Sequence, residues 1–286
     1  MRHDAMKISV IIPTLNRPAS CARLFASLMP QIESRSLDAD AEVILVDDNS
    51  SLANYKELVE VLSKHAYGSS RIIRRCCSGG PSAARNTGIV EASGDIIAFL
   101  DDDCVPAGDF LGQVLRLHAE YPHAVLINGN LRSLRNDSIS QFWFHYYDHA
   151  FNGGEGELYQ IHRISSGHFS IKRSLLENFD PLFDEGLPSR EDYDLYLRVN
   201  QAGIPIYKAD SINATIECRR TLRELLRQRA WYQRGEILLR QKYGEDFLRE
   251  AQAGQYPRPS LGFIHIHILL SLDRKIRSLR ERPILE

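Results

Sequence analysis

The five cysteines, Cys21, Cys76, Cys77, Cys104 and Cys218, form no CxxC pair and no His/Cys ligand spacing. Their odd count and irregular spacing exclude a small disulfide scaffold and make a structural zinc unexpected. Reduced thiols in a cytosolic protein fit the pattern. Long apolar runs are also lacking. The longest, Phe263–Leu272, is interrupted by His265, His267 and Ser271 and falls far short of the ~20 residues that span a bilayer. Met1-Arg2-His3-Asp4-Ala5-Met6 leads straight into a strand-like segment, so no signal peptide is expected. There is no excess of basic charge: 35 Lys and Arg face 37 Asp and Glu, a net charge of −2. That argues against an electrostatically driven nucleic-acid binder.

What is present is an ordinary globular composition, 43% hydrophobic and 25% charged over 286 residues. The length suits one large domain or two modest ones. Such a fold buries about three quarters of the surface its unfolded chain exposes, so it needs no metal for stability. The charge is unevenly placed. Residues 1–218 hold 20 basic and 29 acidic side chains, and residues 219–286 hold 15 basic and 8 acidic. A basic tail on an acidic body points to an anionic partner for the tail.

Hydrophobic periodicity orders the first hundred residues. Lys7–Pro13 (KISVIIP), Glu42–Val46 (EVILV), Arg71–Arg75 and Asp95–Leu100 (DIIAFL) read as strands, and helical patterns follow the first three. Asp47-Asp48-Asn49-Ser50-Ser51 is capping chemistry for a helix over about 52–64. Gly79-Gly80-Pro81-Ser82 opens another, about 82–92. Continuous apolar strands alternating with helices imply a parallel sheet covered on both faces. In such sheets the ligand lies beyond the carboxyl ends of the strands. Those ends carry Thr14 and Asn16, Asp47 and Asp48, Gly79 and Gly80, and Asp101–Asp103. The second half is less regular. Gly108–Tyr121, Arg190–Ala202, Thr221–Tyr243 and Leu261–Arg282 read as helices; Ala124–Gly129, Ile161–Lys172 and Ile204–Ala209 read as strands. Arg249–Ser260 is linker-like, and Ser140–Phe151 is crowded with aromatics that suit either an acceptor site or packing on the sheet.

Asp101-Asp102-Asp103 is the sharpest chemical signal. Three carboxylates after a buried strand repel one another and lose solvation, which is costly unless a cation or a hydrogen-bonded ligand compensates them. Mg²⁺ or Mn²⁺ bridging one or two carboxylates to a diphosphate is such a compensation, whereas a helix cap uses one Asp. Asp47-Asp48 alone is equally a cap or part of a nucleoside site. The glycine turn at Gly79-Gly80 precedes a helix N-terminus that attracts anions, yet no GKS, GKT or GxGxxG accompanies it, and a plain turn also explains it. Glu191-Asp192 opens a helix, where acids complement the dipole; the functional alternative is a general base.

Five runs together, Ser9–Arg17 (SVIIPTLNR), Val46–Ser50 (VDDNS), Gly80–Gly88 (GPSAARNTG), Phe99–Pro106 (FLDDDCVP) and Glu191–Leu195 (EDYDL), resemble the family 2 glycosyltransferases of the GT-A fold, in the family's order. The resemblance spans about residues 6–210. It implies a Rossmann-like, mainly parallel sheet flanked by helices, with residues 1–106 as the nucleotide-sugar half, 107–218 as the acceptor half and 219–286 as a basic helical extension. It implies a nucleotide-diphospho-sugar donor, a UDP-sugar first, and a divalent cation. By family pattern Pro13, Thr14 and Asn16 line the nucleoside pocket, Asp48 meets the base, and Gly80 and Arg85 sit beside it. Asp101 and Asp102 belong to the DxD-type motif, with Asp102 toward ribose or phosphate, and Asp103 holds the metal. Asp192 falls at the catalytic base. Gly167-His168 shapes the sugar and acceptor pocket, where many members carry Asn or Ala near His168, and Glu191 lies beside the base.

The reaction implied is an inverting single displacement in polysaccharide or glycoconjugate biosynthesis, with a glycan, lipid-linked, small-molecule or protein acceptor. Trp231 lies in a basic run, Arg227–Arg234, that either reaches back to the active site or forms a solvated face. The apolar-then-basic segment after Phe263 suits a membrane surface, the domain itself or a second subunit. The expected location is the cytoplasm, with peripheral contact at the inner face of the membrane as one option. Two other readings are an inactive sugar-nucleotide-binding scaffold and a nucleotidyltransferase, though Pro13–Pro18 lacks the glycine-rich basic loop of the latter.

Overall fold

A computed structural model describes residues 6–34, 40–65, 69–142, 144 and 154–245. The helix expected over Leu261–Arg282 and the linker Arg249–Ser260 lie outside these residues, as does most of the aromatic segment.

Strands β1 (Ile8–Thr14), β2 (Ala41–Asp47), β3 (Ser69–Arg74) and β4 (Ile96–Leu100) alternate with helices α1 (Pro18–Glu33), α2 (Leu52–His65) and α3 (Gly80–Glu91). After β5 (Cys104–Pro106) and α4 (Phe110–Glu120) come β6 (Leu126–Ser133), β7 (Tyr159–Ile161), β8 (His168–Lys172), α5 (Glu191–Gln201), β9 (Ile206–Ile216) and α6 (Leu222–Tyr243). All nine strands join one sheet in the order β3-β2-β1-β4-β8-β6-β9-β5, with β7 also on β9. β3, β2, β1 and β4 are mutually parallel. β8 then joins β4 antiparallel, so the second half of the chain extends the sheet in mixed orientation.

The apolar runs explain the parallel half. Val10, Ile11 and Ile12 of β1, Val43–Val46 of β2 and Ile97–Leu100 of β4 have no exposed surface. Each such side chain contributes about 1.5–3 kcal/mol on burial. Helix α3 packs on β1 and β2, and α1 packs against α2 and α4. Pro18 at the first turn of α1 supplies a φ suited to helix entry.

The second half corrects two expectations. Ile161–Lys172 is not one strand. Residues 162–167 leave the sheet, because the Ser165 amide donates to the Asn128 side chain (2.8 Å) and the His168 amide to the Ser165 carbonyl (3.1 Å). The expected strand Ile204–Ala209 runs instead over Ile206–Ile216. Asp210, Ser211 and Asn213 disguise it as a turn, although Asn213 pairs with Asn130 across a bulge. β5 is three residues long, too short to show a period. Asp47 and Asp48 do not cap α2: Ser51 does, accepting the Asn54 amide at 3.3 Å. The helix over Thr221–Tyr243 is as expected, and Thr221 and Glu224 close a capping box at its start.

Candidate active site

The carboxyl ends of β1, β2 and β4 lie side by side, because β1 is hydrogen-bonded to both neighbours. Pro13 is buried in β1 opposite Val46, beyond the last β1–β4 pair at Ile11 and Phe99. Thr14 follows it and donates from Oγ1 to Asp102 Oδ2 at 2.7 Å. Asn16, exposed and at φ 57°, accepts at Oδ1 from the Ser51 amide (2.8 Å) and the Asn54 side chain (2.9 Å). It therefore fastens the β1 exit to the start of α2.

Asp48 is buried and heavily bonded. It pairs with Arg75, accepts from Ser78 Oγ at 2.6 Å, and accepts the amides of Gly79 (3.0 Å) and Gly80 (2.8 Å). The anion at the N-terminus of α3 is thus the Asp48 side chain itself. Arg85, one and a half turns into α3, is almost fully buried. It donates to Asp101 Oδ1 at 2.6 Å and to Glu191 Oε1 at 2.8 Å, so one guanidinium ties the end of β4 to the start of α5.

The acidic run divides its labour. Asp101 faces Arg85 and approaches Gly167, where an added Cβ would stand 2.5 Å from Asp101 Oδ2. A larger residue there would displace the Asp101 carboxylate. Asp102 and Asp103 are buried and share Arg17, at 2.6 Å and 2.9 Å. Burial, with the neighbouring carboxylates, pushes Asp102 up to about 7 against the opposing charge of Arg17. Burial also raises Asp103, again opposed by Arg17.

The donor set suits a hard divalent cation. Two buried carboxylates share one part-exposed arginine, with the charge of Arg219 also acting on Asp103, and Mg²⁺ is held by one or two carboxylates plus phosphate oxygens. Among the described residues no group of three or more His, Cys, Asp or Glu is arranged to hold a metal ion. Asp103, with Asp102 beside it, would therefore have to share an ion with a phosphate-bearing substrate.

On the other side of the cleft, Asp192 occupies the first turn of α5, where its Oδ1 accepts the Tyr193 amide at 2.8 Å. Burial first, and the charge of Glu191 second, push Asp192 up to about 6. Glu191 is turned away into the protein, accepting from Arg85 and from Ser166 Oγ at 3.1 Å. His168 begins β8 opposite Leu100, the residue before Asp101. It is fully buried, and neither ring nitrogen has a hydrogen-bond partner among the described residues. Burial lowers it to about 4, so the ring is neutral. Its edge meets the ring of Phe110, centroids 5.5 Å apart. Trp231 on α6 is 36% exposed and lines a cavity of about 470 Å³ next to Arg17.

The structure thus joins Thr14, Asp102 and Asp103 around Arg17, and Asp101 and Glu191 through Arg85, with Asp192 adjoining Glu191. Asp48 and Gly80 form a second group over the end of β2, and Pro13 and His168 are enclosed beneath the site. Of the aromatic segment, Phe142 is buried against Leu225 of α6, in favour of packing for that residue. Sequence reasoning gave no role to Arg17, Arg75, Ser78 or Ser166. No local signal marked Arg17: only the fold brings this basic residue of the loop after β1 to the carboxylates at the end of β4.

The parallel α/β half carries acids at its strand ends and is joined through buried Arg85 to Glu191 on the extended half. Residues 9–179 match the family described as Glycosyl transferase family 2, and the chain belongs to that family. It is 35% identical over 182 residues to the GalNAc(5)-diNAcBac-PP-undecaprenol beta-1,3-glucosyltransferase of Campylobacter jejuni, a match covering 60% of this chain and 53% of that protein. The chain spans about half the length of the curated relatives it matches. The fold is of the GT-A type and is shared with two solved structures. A mannosyltransferase from Pyrobaculum calidifontis, in complex with GDP-Man and Mn²⁺, superimposes with a TM-score of 0.62 at 16% identity, over 94% of this chain and 70% of that one. S. aureus TarS 1–349, in complex with UDP-GlcNAc, gives 0.60 at 21% identity, over 76% and 60%. No helix among the described residues is long and apolar enough to cross a membrane.

Proposed function

We propose that this chain transfers a sugar from a nucleotide-diphospho-sugar to an acceptor hydroxyl, in a single displacement that inverts the anomeric centre. The observation that carries this reading is the Arg85 bridge. One buried guanidinium holds Asp101, at the acidic end of β4, and Glu191, the neighbour of Asp192, in a fixed relation. A donor on the strand ends and an acceptor at Asp192 are thereby set at a constant separation, which is what a displacement needs.

In this reading the nucleoside lies over the ends of β1 and β2, by Asn16 and Asp48. The Asp48 carboxylate is held by Arg75, Ser78 and two amides, so it is preorganised side-on to a base or ribose. Asp103, with Asp102, takes a Mg²⁺ or Mn²⁺ ion, which when bound neutralises charge on the departing diphosphate. Arg17, which pairs with both carboxylates, would have to yield them to the ion. Asp192 accepts the acceptor's proton at its free Oδ2 as the acceptor oxygen attacks. Its raised titration point suits that task, since a base titrating near 6 stays ionised at pH 7 and still holds a proton well. The acceptor is a glycoconjugate or lipid-linked glycan, the class named in the Campylobacter relative.

The test is a donor screen on the purified chain with Mn²⁺ and Mg²⁺, across UDP-, GDP- and dTDP-sugars. Metal-dependent binding of one donor, weakened at least tenfold by Asp103→Ala, with turnover lost but binding kept in Asp192→Asn, is the expected result. Binding without any turnover across an acceptor panel would favour a sugar-nucleotide-binding scaffold. No binding of any donor would end the donor-site reading.

A further inference from the structure

We propose that Cys76 and Cys77 are a dithiol that a small disulfide, such as glutathione disulfide, converts reversibly to a bridge, and that closing the bridge loosens the hold on Asp48. The consequence for nucleotide binding rests on the glycosyltransferase reading; the thiol chemistry does not.

The two cysteines stand at the apex of a short loop between β3 and α3. Both are exposed, whereas Cys21, Cys104 and Cys218 are buried. The Cys76 and Cys77 sulfurs are 3.8 Å apart. Exposed thiols remove no apolar surface from water, so this pair does not serve the core. The two ends of the loop close on one carboxylate. From the strand side Arg75 pairs with Asp48, and the Arg75 amide donates to the Asp47 carbonyl at 2.9 Å. From the helix side Ser78 Oγ (2.6 Å) and the amides of Gly79 (3.0 Å) and Gly80 (2.8 Å) donate to the same carboxylate. The ends also meet each other: a Cβ added at Gly79 would stand 2.6 Å from an Arg75 guanidinium nitrogen. Only Cys76 and Cys77 separate the two sets of Asp48 partners, so a change in their backbone is passed to both.

Closing the bridge cannot leave this loop as it is. The sulfurs must come within about 2 Å of each other. Adjacent Cα atoms stand about 3.8 Å apart, below the roughly 4.4 Å that disulfides ordinarily span, so the backbone at 76–77 must turn. The same misfit makes the bridge easy to reduce again, since strained or exposed disulfides are the labile ones. In the forward direction the thiolate of one cysteine attacks the small disulfide, breaks its S–S bond and releases one thiolate. The thiolate of the other cysteine then attacks the mixed disulfide, forms the Cys76–Cys77 bond and releases the second. Two electrons pass from the protein to the small disulfide, and the protons lost by the two cysteines end on the released thiols.

The test treats the whole chain with excess glutathione disulfide and compares it with reduced protein and with Cys76→Ser/Cys77→Ser treated alike. Peptide mass mapping should find a Cys76–Cys77 bridge, lighter than the dithiol by the two thiol hydrogens, that dithiothreitol removes. The amides of Gly79 and Gly80 should exchange with deuterium about tenfold faster in the bridged protein, and at an unchanged rate in the treated serine variant. UDP or GDP, whichever binds the reduced protein by calorimetry, should bind the bridged protein about fivefold more weakly. The proposal is overturned if both cysteines stay free or stop at mixed disulfides with glutathione. It is equally overturned if the bridge forms and the exchange of both glycine amides is unchanged. Neither readout needs a nucleotide. If neither UDP nor GDP binds the reduced protein, or if exchange quickens while nucleotide affinity holds, the placement of the nucleoside at Asp48 fails, and the dithiol is decided by mass and exchange alone.

Discussion

Asp192 and Arg85 carry the chemistry that single residues can test. Burial and the Glu191 charge hold Asp192 near 6, well above an ordinary aspartate. As a general base it works only when ionised, so kcat/KM should fall about tenfold per pH unit below that point. A rate profile from pH 4.5 to 8 should bend near 6. A bend near 4 would place the base elsewhere. Asp192→Asn should lower turnover by about 10²–10⁴-fold with donor affinity kept. Arg85 is a positioning residue. Arg85→Met leaves Asp101 and Glu191 without their buried counter-charge and should cost about 3–5 kcal/mol in denaturant unfolding. Arg85→Lys keeps the charge but cannot fork to both carboxylates, so kcat should fall more than stability does. At this scale the site was largely legible, because Asp, Gly and Asn cluster at strand ends where apolar runs stop. Arg17 was not, since a lone arginine after a strand has no pattern until the fold sets it 2.6 Å from Asp102.

Helix α6 shows how an element far along the chain governs the cleft. It is fastened at two places, by Ser189 to the Trp231 carbonyl and by Asp194 to Lys242 (2.7 Å) and Tyr243 (2.8 Å). Between them Gly235 lies so close to the Ser189 loop that an added Cβ would stand 2.2 Å from the Ser189 carbonyl oxygen. Gly235→Ala should therefore push α6 off the loop that presents Asp192, with a loss of about 1–3 kcal/mol and a fall in kcat. Gly112→Ala on α4, where an added Cβ meets nothing within 4 Å, should instead raise stability by about 0.5–1 kcal/mol with turnover unchanged. Thermal melts and turnover of both variants separate close approach from helix propensity. The contrast between the two halves of the chain has the same origin. β1, β2 and β4 show their identity locally, as continuous apolar runs buried on both faces, whereas β3 is a half-buried edge strand. β7, β8 and β9 are defined by partners far away in sequence. Nothing near His168 announces that it pairs with Leu100, and Asp210, Ser211 and Asn213 disguise β9 as a turn.

For the molecule as a whole, the mixed half of the sheet is held by side chains that must stay neutral, which links global stability to pH. His118 on α4 is buried between the Ala124 carbonyl (3.2 Å from Nδ1) and Ser170 Oγ (2.9 Å from Nε2), joining α4 to β8. Burial, with the nearby charge of Lys172, lowers it to about 3. The unfolded chain takes up a proton on this ring below about 6.5, while the folded one does not until about 3, so folding loses stability as pH falls between those values. Carboxylates raised in the cleft, such as Asp192, act in the opposite sense over an overlapping window, so wild-type stability alone cannot isolate the histidine. A difference does. His118→Gln keeps amide groups within reach of both partners and does not titrate. The stability advantage of wild type over this variant, from denaturant unfolding, should be constant above pH 7. It should then shrink by about 3 kcal/mol on going to pH 4, at about 1.4 kcal/mol per unit of the cited shift. A difference that stays flat across that range would mean that His118 protonates without breaking its place between α4 and β8. The coupling of helix to sheet would then rest on the surrounding apolar contacts instead.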